Sequence, residues 1–268
     1  MIENILLKII SLFRCRLKNQ LFFESLCNVA LKGMNCGSVT DPVKNGENRL
    51  LYTIKSKLSD KELNIFDVGA NVGNNSILFA NYFGVFAKIY SFEPSLKTFI
   101  SLKDNTKVYD NIVVENFGFS DREERVTLYM DKDHSGLASV YRRKLDHYNI
   151  FMNKSEDVVL KTIDNYCLLN SIDVIHFLKI DVEGHEIKVL EGARDMINSN
   201  SIYYIQFEFG GTSIDAKSYF RDFFYSLNDK YNIYRVVPDG VFQIKEYTES
   251  KEIFLYSNYF AALKELSK

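Results

Sequence analysis

The sequence has little that marks a specialised class. Its four cysteines (Cys15, Cys27, Cys36 and Cys167) include no CxxC pair, which argues against a zinc ribbon and a redox dithiol. Free thiols in a reducing cytosol are the expected state, and a cytoplasmic location follows as an expectation. Neither sign of charge is in excess: 33 Lys and Arg stand against 35 Asp and Glu. A polybasic nucleic-acid binder draws its affinity from phosphate neutralisation, so no nucleic-acid partner is expected. No apolar run reaches the ~20 residues that span a bilayer. Tryptophan is absent, and the 17 Tyr and 21 Phe read mostly as core.

What is present is an ordinary globular chain. Its 268 residues fit one large domain, or one domain with an appendage, at ~150 residues per domain. A chain near this size buries ~75% of its unfolded surface, so it needs no disulfide or metal staple. The opening MIENILLKIISLFRCR reads as an amphipathic helix interrupted by Lys8, with no small-residue cleavage site after it. Such a helix packs on a domain or a partner, and a weak membrane-surface or dimer contact is among its uses. Gly33, Gly37, Pro42 and Gly46 crowd the stretch from Gly33 to Asn48. That stretch divides an N-terminal helical extension (1–48) from the main domain (49–268).

From Asn64 onward short apolar runs alternate with helical patterns. Strands are expected at Asn64–Val68, Lys88–Phe92, Asn111–Glu115, His176–Ile180 and Tyr203–Phe207. Helices are expected at Ser76–Phe83, Ser95–Asn105, Glu186–Ile197 and Ala216–Leu227. This alternation implies parallel crossovers and an α/β, doubly wound, mostly parallel sheet. Runs at Ile233–Val237 and Glu252–Tyr256 are expected to close it with an antiparallel edge. Residues 124–141 read as an insertion between the third and fourth strands.

In such a sheet ligands bind beyond the carboxyl ends of the strands. The first strand ends in Asp67-Val68-Gly69-Ala70-Asn71-Val72-Gly73. Its glycines permit a tight turn and a close backbone approach, and the next helix offers its N–H groups. The loop lacks GxGxxG, and Asp67 would repel a pyrophosphate, so a dinucleotide is a poor fit. An amine or sulfonium suits Asp67 better, and S-adenosylmethionine carries both. The plain alternative is a tight turn capped by a carboxylate. Glu93 follows the second strand, ~20 residues beyond the loop, the offset at which a carboxylate meets ribose hydroxyls. Its plain alternative is a charge favoured by the next helix's dipole.

Three blocks now resemble a known family: IFDVGANVGNNSILFA, YSFEPSLKTFISLKDN and TIDNYCLLNSIDVIHFLKIDVEGHEIKVLEGA. They are similar, in order, to the FkbM-type S-adenosylmethionine-dependent methyltransferases and cover most of Ile65–Phe209. LKIDVEGHE is the most specific string. Asn45-Gly46-Glu47 resembles a polar motif ahead of the first strand in bacterial members. Phe117–Asp121 resembles the segment after the third strand, with Gly118 where a small residue such as Ala is usual. Ser135-Gly136 through Ser139 resembles a Ser/Gly-rich loop. The resemblance implies a class I methyltransferase fold with one antiparallel strand, and O-methylation, often of sugars or natural products. It carries the cofactor role to Asp67, Gly69, Asn71 and Gly73, the ribose role to Glu93, and the adenine edge to Asn116 or to Gly118 and Phe119.

Methyl transfer from a sulfonium is an in-line displacement helped by positioning and water exclusion. A hydroxyl acceptor also loses a proton, so a base within reach helps. The fourth strand ends in Lys179-Ile180-Asp181-Val182-Glu183-Gly184-His185-Glu186. Alternation puts Lys179 and Asp181 on one side. Asp181 is the first candidate for base or positioning carboxylate, Glu183 the second, and His185 a group able to titrate near neutral pH. Glu208 joins from the next strand end, and Glu186 caps the following helix. These carboxylates are also suited to Mg²⁺, leaving a metal open. Against catalysis stands a Lys179-paired cluster that merely fixes the turn. Tyr141-Arg142-Arg143-Lys144 reads as a solvated face or as a wall of the acceptor cleft.

The expected activity is O-methylation of a hydroxyl, on a sugar of a bacterial surface glycan or its precursor. Methylation of a non-sugar small molecule, or a pseudo-methyltransferase that binds cofactor and a partner without turnover, are the alternatives. An NAD-dependent oxidoreductase predicts GxGxxG, which is missing. An RNA methyltransferase predicts a basic stripe, which a net charge of −2 disfavours.

Overall fold

The computed structural model describes residues 13–37, 45–58 and 62–267, with 5, 7, 8, 10 and 11. The N-terminal helix expected at 1–16 and the turn-rich boundary at 33–48 therefore lie partly outside the described residues. Helices α1 (Gln20–Gly33) and α2 (Glu47–Lys57) come first. Strands β1 (Leu63–Val68), β2 (Ala87–Phe92) and β3 (Ile112–Glu115) alternate with α3 (Asn74–Phe83) and α4 (Leu96–Thr106). Next come β4 (Gly118–Phe119), β5 (Glu124–Met130) and β6 (Lys154–Lys161), then α5 (Ile163–Leu169) and β7 (Ile175–Ile180). Helices α6 (Glu186–Glu191) and α7 (Arg194–Asn198) lead to β8 (Ile202–Phe209). Helices α8 (Thr212–Ala216) and α9 (Phe220–Leu227) precede β9 (Tyr231–Val237), β10 (Gly240–Ile244) and β11 (Ser257–Leu263).

The main sheet runs β10-β9-β11-β8-β7-β1-β2-β3. The strands β3, β2, β1, β7 and β8 pair in parallel. The inner ones are largely apolar because helices cover both faces: Ile65, Phe66, Val68, Phe177, Leu178 and Ile180 are fully buried, with Asp67 of β1 and Lys179 of β7 as buried charged exceptions. Phe66 anchors one face, its ring 5.1 Å from Tyr90 and 5.2 Å from Phe92. On the other face Leu50, Leu51 and Ile54 of α2 join Phe79, Phe83 and Phe177. The order reverses between β1 and β7, so the crevice beyond their carboxyl ends is where a doubly wound sheet binds ligands.

The α/β doubly wound sheet is as expected, and β10 is its antiparallel edge. A further antiparallel strand, β11, lies inside the sheet between β8 and β9, and its side chains are buried throughout. The run Glu252–Tyr256 is not a strand. Instead the Glu252 carboxylate accepts the N–H groups of Phe220 at 2.8 Å and Arg221 at 3.0 Å, capping α9. The helix expected over Glu186–Ile197 is broken at Gly192–Ala193, where Gly192 passes Ser120 so closely that a Cβ would stand 1.9 Å from its carbonyl oxygen. The helix expected over Ala216–Leu227 is likewise two, parted by Lys217 at φ +55°. Residues 124–141 supply β5, which pairs antiparallel with β6 in a small second sheet, and the loop after it.

Candidate functional site

A cavity of about 430 Å³ opens at the carboxyl ends of β1, β2, β7 and β8, within the ~300–1,000 Å³ of small-molecule sites. The β1 loop forms one wall. Gly69 and Ala70 donate their N–H groups to Phe92 O at 3.0 and 2.9 Å, and Asp181 N–H reaches Val68 O at 2.9 Å. Gly69, at φ +85°, lies so close to β7 that a Cβ would sit 1.9 Å from Asp181 O. Only glycine fits there.

Glu93 lies where β2 ends and lines the cavity. Its Oε2 accepts Asn71 N–H at 3.0 Å and its Oε1 accepts Ser95 N–H at 2.8 Å. Burial pushes its carboxyl up to about 7, against those two hydrogen bonds. Asn71, Gly118 and Phe119 also line the cavity. The Asn71 amide donates to Ser135 O at 3.3 Å and so draws in the Ser/Gly-rich loop.

Three expected cofactor residues stand behind this wall. Asp67 is fully buried beneath the loop, where Ser76 donates to its Oδ2 at 2.6 Å and Ser91 in turn donates to Ser76. Burial raises its carboxyl to about 6. Gly73 begins α3 and packs on α4, where a Cβ would stand 2.8 Å from Leu102 Cδ1. The Asn116 amide donates to Glu93 O at 2.9 Å and to Pro94 O at 3.1 Å, holding that turn from outside the cavity.

The opposite wall is a cluster of carboxylates around one lysine. Lys179 is 3% exposed, and its Nζ is 2.7 Å from Asp181 Oδ2. Burial works against its charge, but Asp181, Glu47, Glu208 and Asp67 outweigh it and hold the ammonium well above its ordinary value. Glu208 is pushed well above the carboxylate range by burial and by the Asp181 charge. Glu183, at φ +54°, meets Arg143 at 2.6 Å. Burial and then the Asp181 charge raise it to about 8, with Arg143 opposing. Arg143 is thus an inward partner, and the expected solvated face of 141–144 does not include it. Glu186 accepts the N–H groups of Val182 and Gly184, each at 3.1 Å, and so ties down the turn that precedes α6.

His185 does not titrate near neutral pH. Burial lowers it to about 4, and its ring nitrogens are engaged by Tyr141 Oη at 3.0 Å and Ser120 Oγ at 2.9 Å. It is a neutral strut between two loops. Among the described residues no group of three or more His, Cys, Asp or Glu is arranged to hold a metal, and Lys179 already supplies the cation of the cluster.

Glu47 and Tyr256 are polar lining residues that the sequence does not single out. Glu47, seen only as part of a polar motif, accepts Gln206 Nε2 at 2.8 Å and Asn45 Nδ2 at 3.2 Å. Gly46, at φ +98° against Val237, turns the chain so that Glu47 enters. Tyr256 reaches the cavity from the end of the chain and accepts Asn258 Nδ2 at 3.0 Å. No local signal marks it.

These groups make stability depend on pH. Between an unfolded value near 4.5 and a folded value of about 8, Glu183 holds more proton when folded, so stability falls as pH rises through that window. Glu93 and Glu186, both near 7, act in the same direction. His185 has the opposite sign, but its window closes at its ordinary value of 6.5. The melting temperature is expected to fall from pH 6.5 to 8, and Glu183→Gln to shallow that fall. A flat profile from scanning calorimetry over this range would contradict these assignments.

A doubly wound sheet with a glycine turn, a buried carboxylate at the second strand end and a polar cluster across the crevice defines a class of small-molecule-binding α/β domains. The methyltransferase FkbM domain model matches residues 67–234, and the chain belongs to that family. Its fold is the class I methyltransferase fold. The hexuronic acid methyltransferase AglP of Haloferax volcanii is 24% identical over 168 residues, 62% of this chain and 64% of that protein. The chain thus spans less than two thirds of that relative's length. The methyltransferase FkbM of Methylobacillus flagellatus superposes with a TM-score of 0.47 at 18% identity, over 76% of this chain and 44% of that one. Aeropyrum pernix fibrillarin, in complex with S-adenosyl-L-methionine, gives 0.40 at 13% identity over 84% and 70%.

Proposed function

We propose that this protein is an S-adenosylmethionine-dependent O-methyltransferase acting on a hydroxyl of a sugar, in a bacterial surface glycan or its precursor. One observation carries the reading. Glu93 and the Gly69–Asn71 loop share a single cavity with Asp181, Glu183 and Glu208, so a nucleoside held at one wall brings its far end to carboxylates at the other. Family membership supports the reaction class, and the relative's hexuronic acid supports a sugar.

The cofactor supplies an electrophilic methyl group on a sulfonium. Glu93 would accept the ribose hydroxyls, the N-terminus of α3 at Asn74 and Asn75, which line the cavity, would meet the amino-acid end, and Gly118 and Phe119 would bound the adenine. Gly118 fits this role because a Cβ there would press on Leu160 at 2.8 Å. Asp181 takes the acceptor proton and Lys179 holds its carboxylate in place. Glu183 at about 8 retains its own proton at neutral pH, and His185 has no free nitrogen, so neither competes as base. Glu47 and Glu208 offer hydrogen bonds to neighbouring acceptor hydroxyls.

Labelled methyl transfer to a panel of simple glycosides tests the reaction. Asp181→Asn is expected to lower kcat by ~10²–10⁴-fold while S-adenosylhomocysteine affinity changes little. Unimpaired turnover by that variant would remove Asp181 as base. Tight cofactor binding with no product from any glycoside would favour a non-sugar acceptor or a partner-binding role.

A further inference from the structure

Helix α1 buries none of its fourteen side chains. Yet it carries Leu21, Phe22 and Val29 at 78, 61 and 67% exposure, and Leu17 just before it is 92% exposed. At ~100° per residue, Phe22, Phe23, Leu26 and Val29 fall on one side of the helix and Glu24, Asn28 and Lys32 on the other. The same segment carries the exposed Lys8, Arg14, Arg16, Lys18 and Lys32, with Glu24 the one acidic side chain among the described residues before Cys36. In the full sequence the first 37 residues hold five basic and two acidic side chains. A cationic segment therefore sits on a chain whose net charge is −2.

We infer that α1 and the basic residues before it dock this protein peripherally on a membrane surface carrying anionic phospholipid headgroups. Apolar rings and aliphatic side chains enter the acyl boundary while Lys and Arg meet the phosphates, the division of labour of an interfacial amphipathic helix. A second copy of the chain fits less well. A helix of fourteen residues is ~21 Å long and ~10 Å wide, so its face offers on the order of 200 Å², where a stable dimer buries ~800 Å² per partner. Two such segments would also bring like charges together. The docking is peripheral: no helix among the described residues is long and apolar enough to cross a membrane.

The attachment of α1 to the body is fixed. Beyond its end, the Asn35 amide donates to Val236 O at 2.9 Å and Asn45 O at 3.0 Å. Cys36 is fully buried, and Gly37 N–H donates to Tyr256 O at 2.8 Å. Because Tyr256 lines the cavity, the lipid-docked helix tethers that cavity close to the surface. The inference does not depend on the proposed methyl transfer.

Co-sedimentation of the full chain with vesicles of phosphatidylcholine, alone or mixed equally with phosphatidylglycerol, tests it. Binding is expected on the anionic vesicles and to be at least ~10-fold weaker on neutral ones and in high salt. The variants Phe22→Glu/Leu26→Glu/Val29→Glu and Arg14→Gln/Arg16→Gln/Lys18→Gln are each expected to lose ~10-fold or more in binding. All six side chains lie outside the core, so the melting temperature should stay at the wild-type value. Three results would overturn the inference: wild type left in the supernatant with anionic vesicles, equal binding to both vesicle types, or unchanged binding by the variants. A dimer in sedimentation velocity that Phe22→Glu/Leu26→Glu/Val29→Glu dissociates, without vesicle binding, would assign the face to a second copy instead.

Discussion

Gly69→Ala is expected to lose more than ~4 kcal/mol of stability, an exceptional effect for one methyl group. Two penalties add. The residue sits at φ +85°, where a side chain costs on the order of 1–3 kcal/mol. The new Cβ would also stand 1.9 Å from the backbone oxygen of Asp181. Backbone cannot swing aside like a flexible side chain, so relief requires prising β1 from β7. At ~2–4 °C per kcal/mol for a chain of this size, the melting temperature should drop by ~10 °C or more. Gly136→Ala is the control, because a Cβ there meets nothing within 4 Å, and it should remain within ~0.5 kcal/mol of wild type. A Gly69→Ala protein as stable as its Gly136→Ala counterpart would mean that the two strand ends do not approach as described.

Lys179→Met is expected to destabilise by ~3–5 kcal/mol at pH 8, the size seen when one partner of a buried ion pair is removed. Methionine fills much of the space but leaves Asp181, Glu47, Glu208 and Asp67 without the cation that balances them. The deficit should shrink as pH falls. Without the ammonium the carboxyls take up protons more readily, and a protonated carboxyl does not need the missing charge. Adding Asp181→Asn should recover part of the loss. Chemical unfolding at pH 5 and pH 8 reads both effects. A deficit below ~1 kcal/mol at pH 8, in the range of an exposed ion pair, would contradict a buried lysine at the centre of the cluster.

The inner strands were readable because each is a largely apolar, buried run that stops at a glycine turn or a carboxylate: Val68 before Gly69, Phe92 before Glu93, Ile180 before Asp181. The glycine turn and Glu93 followed from position at the strand ends. What escaped depends on contacts distant in sequence. Glu47 reaches the cavity because it bonds Gln206 on β8, and Tyr256 because Gly37 and Asn258 hold its segment. The break at Gly192 is imposed by Ser120 from another loop. Nothing local marks the burial of His185 against Tyr141 and Ser120, which is what sets its titration. The strand β6 was hidden by its charged outer residues, although Val158 and Leu160 point inward.

The most direct test of the account is calorimetric titration of wild type and Glu93→Ala with S-adenosylhomocysteine, with NAD as control. Each hydrogen bond to a charged carboxylate contributes ~1.5–3 kcal/mol, so losing a pair at the ribose predicts an affinity at least ~100-fold weaker in the variant. Tight binding is expected for wild type, strengthening as pH rises through 7 and Glu93 ionises, lost with Glu93→Ala, and absent for NAD. Folded wild-type protein that binds no S-adenosylhomocysteine, or binds it equally well without Glu93, would contradict it.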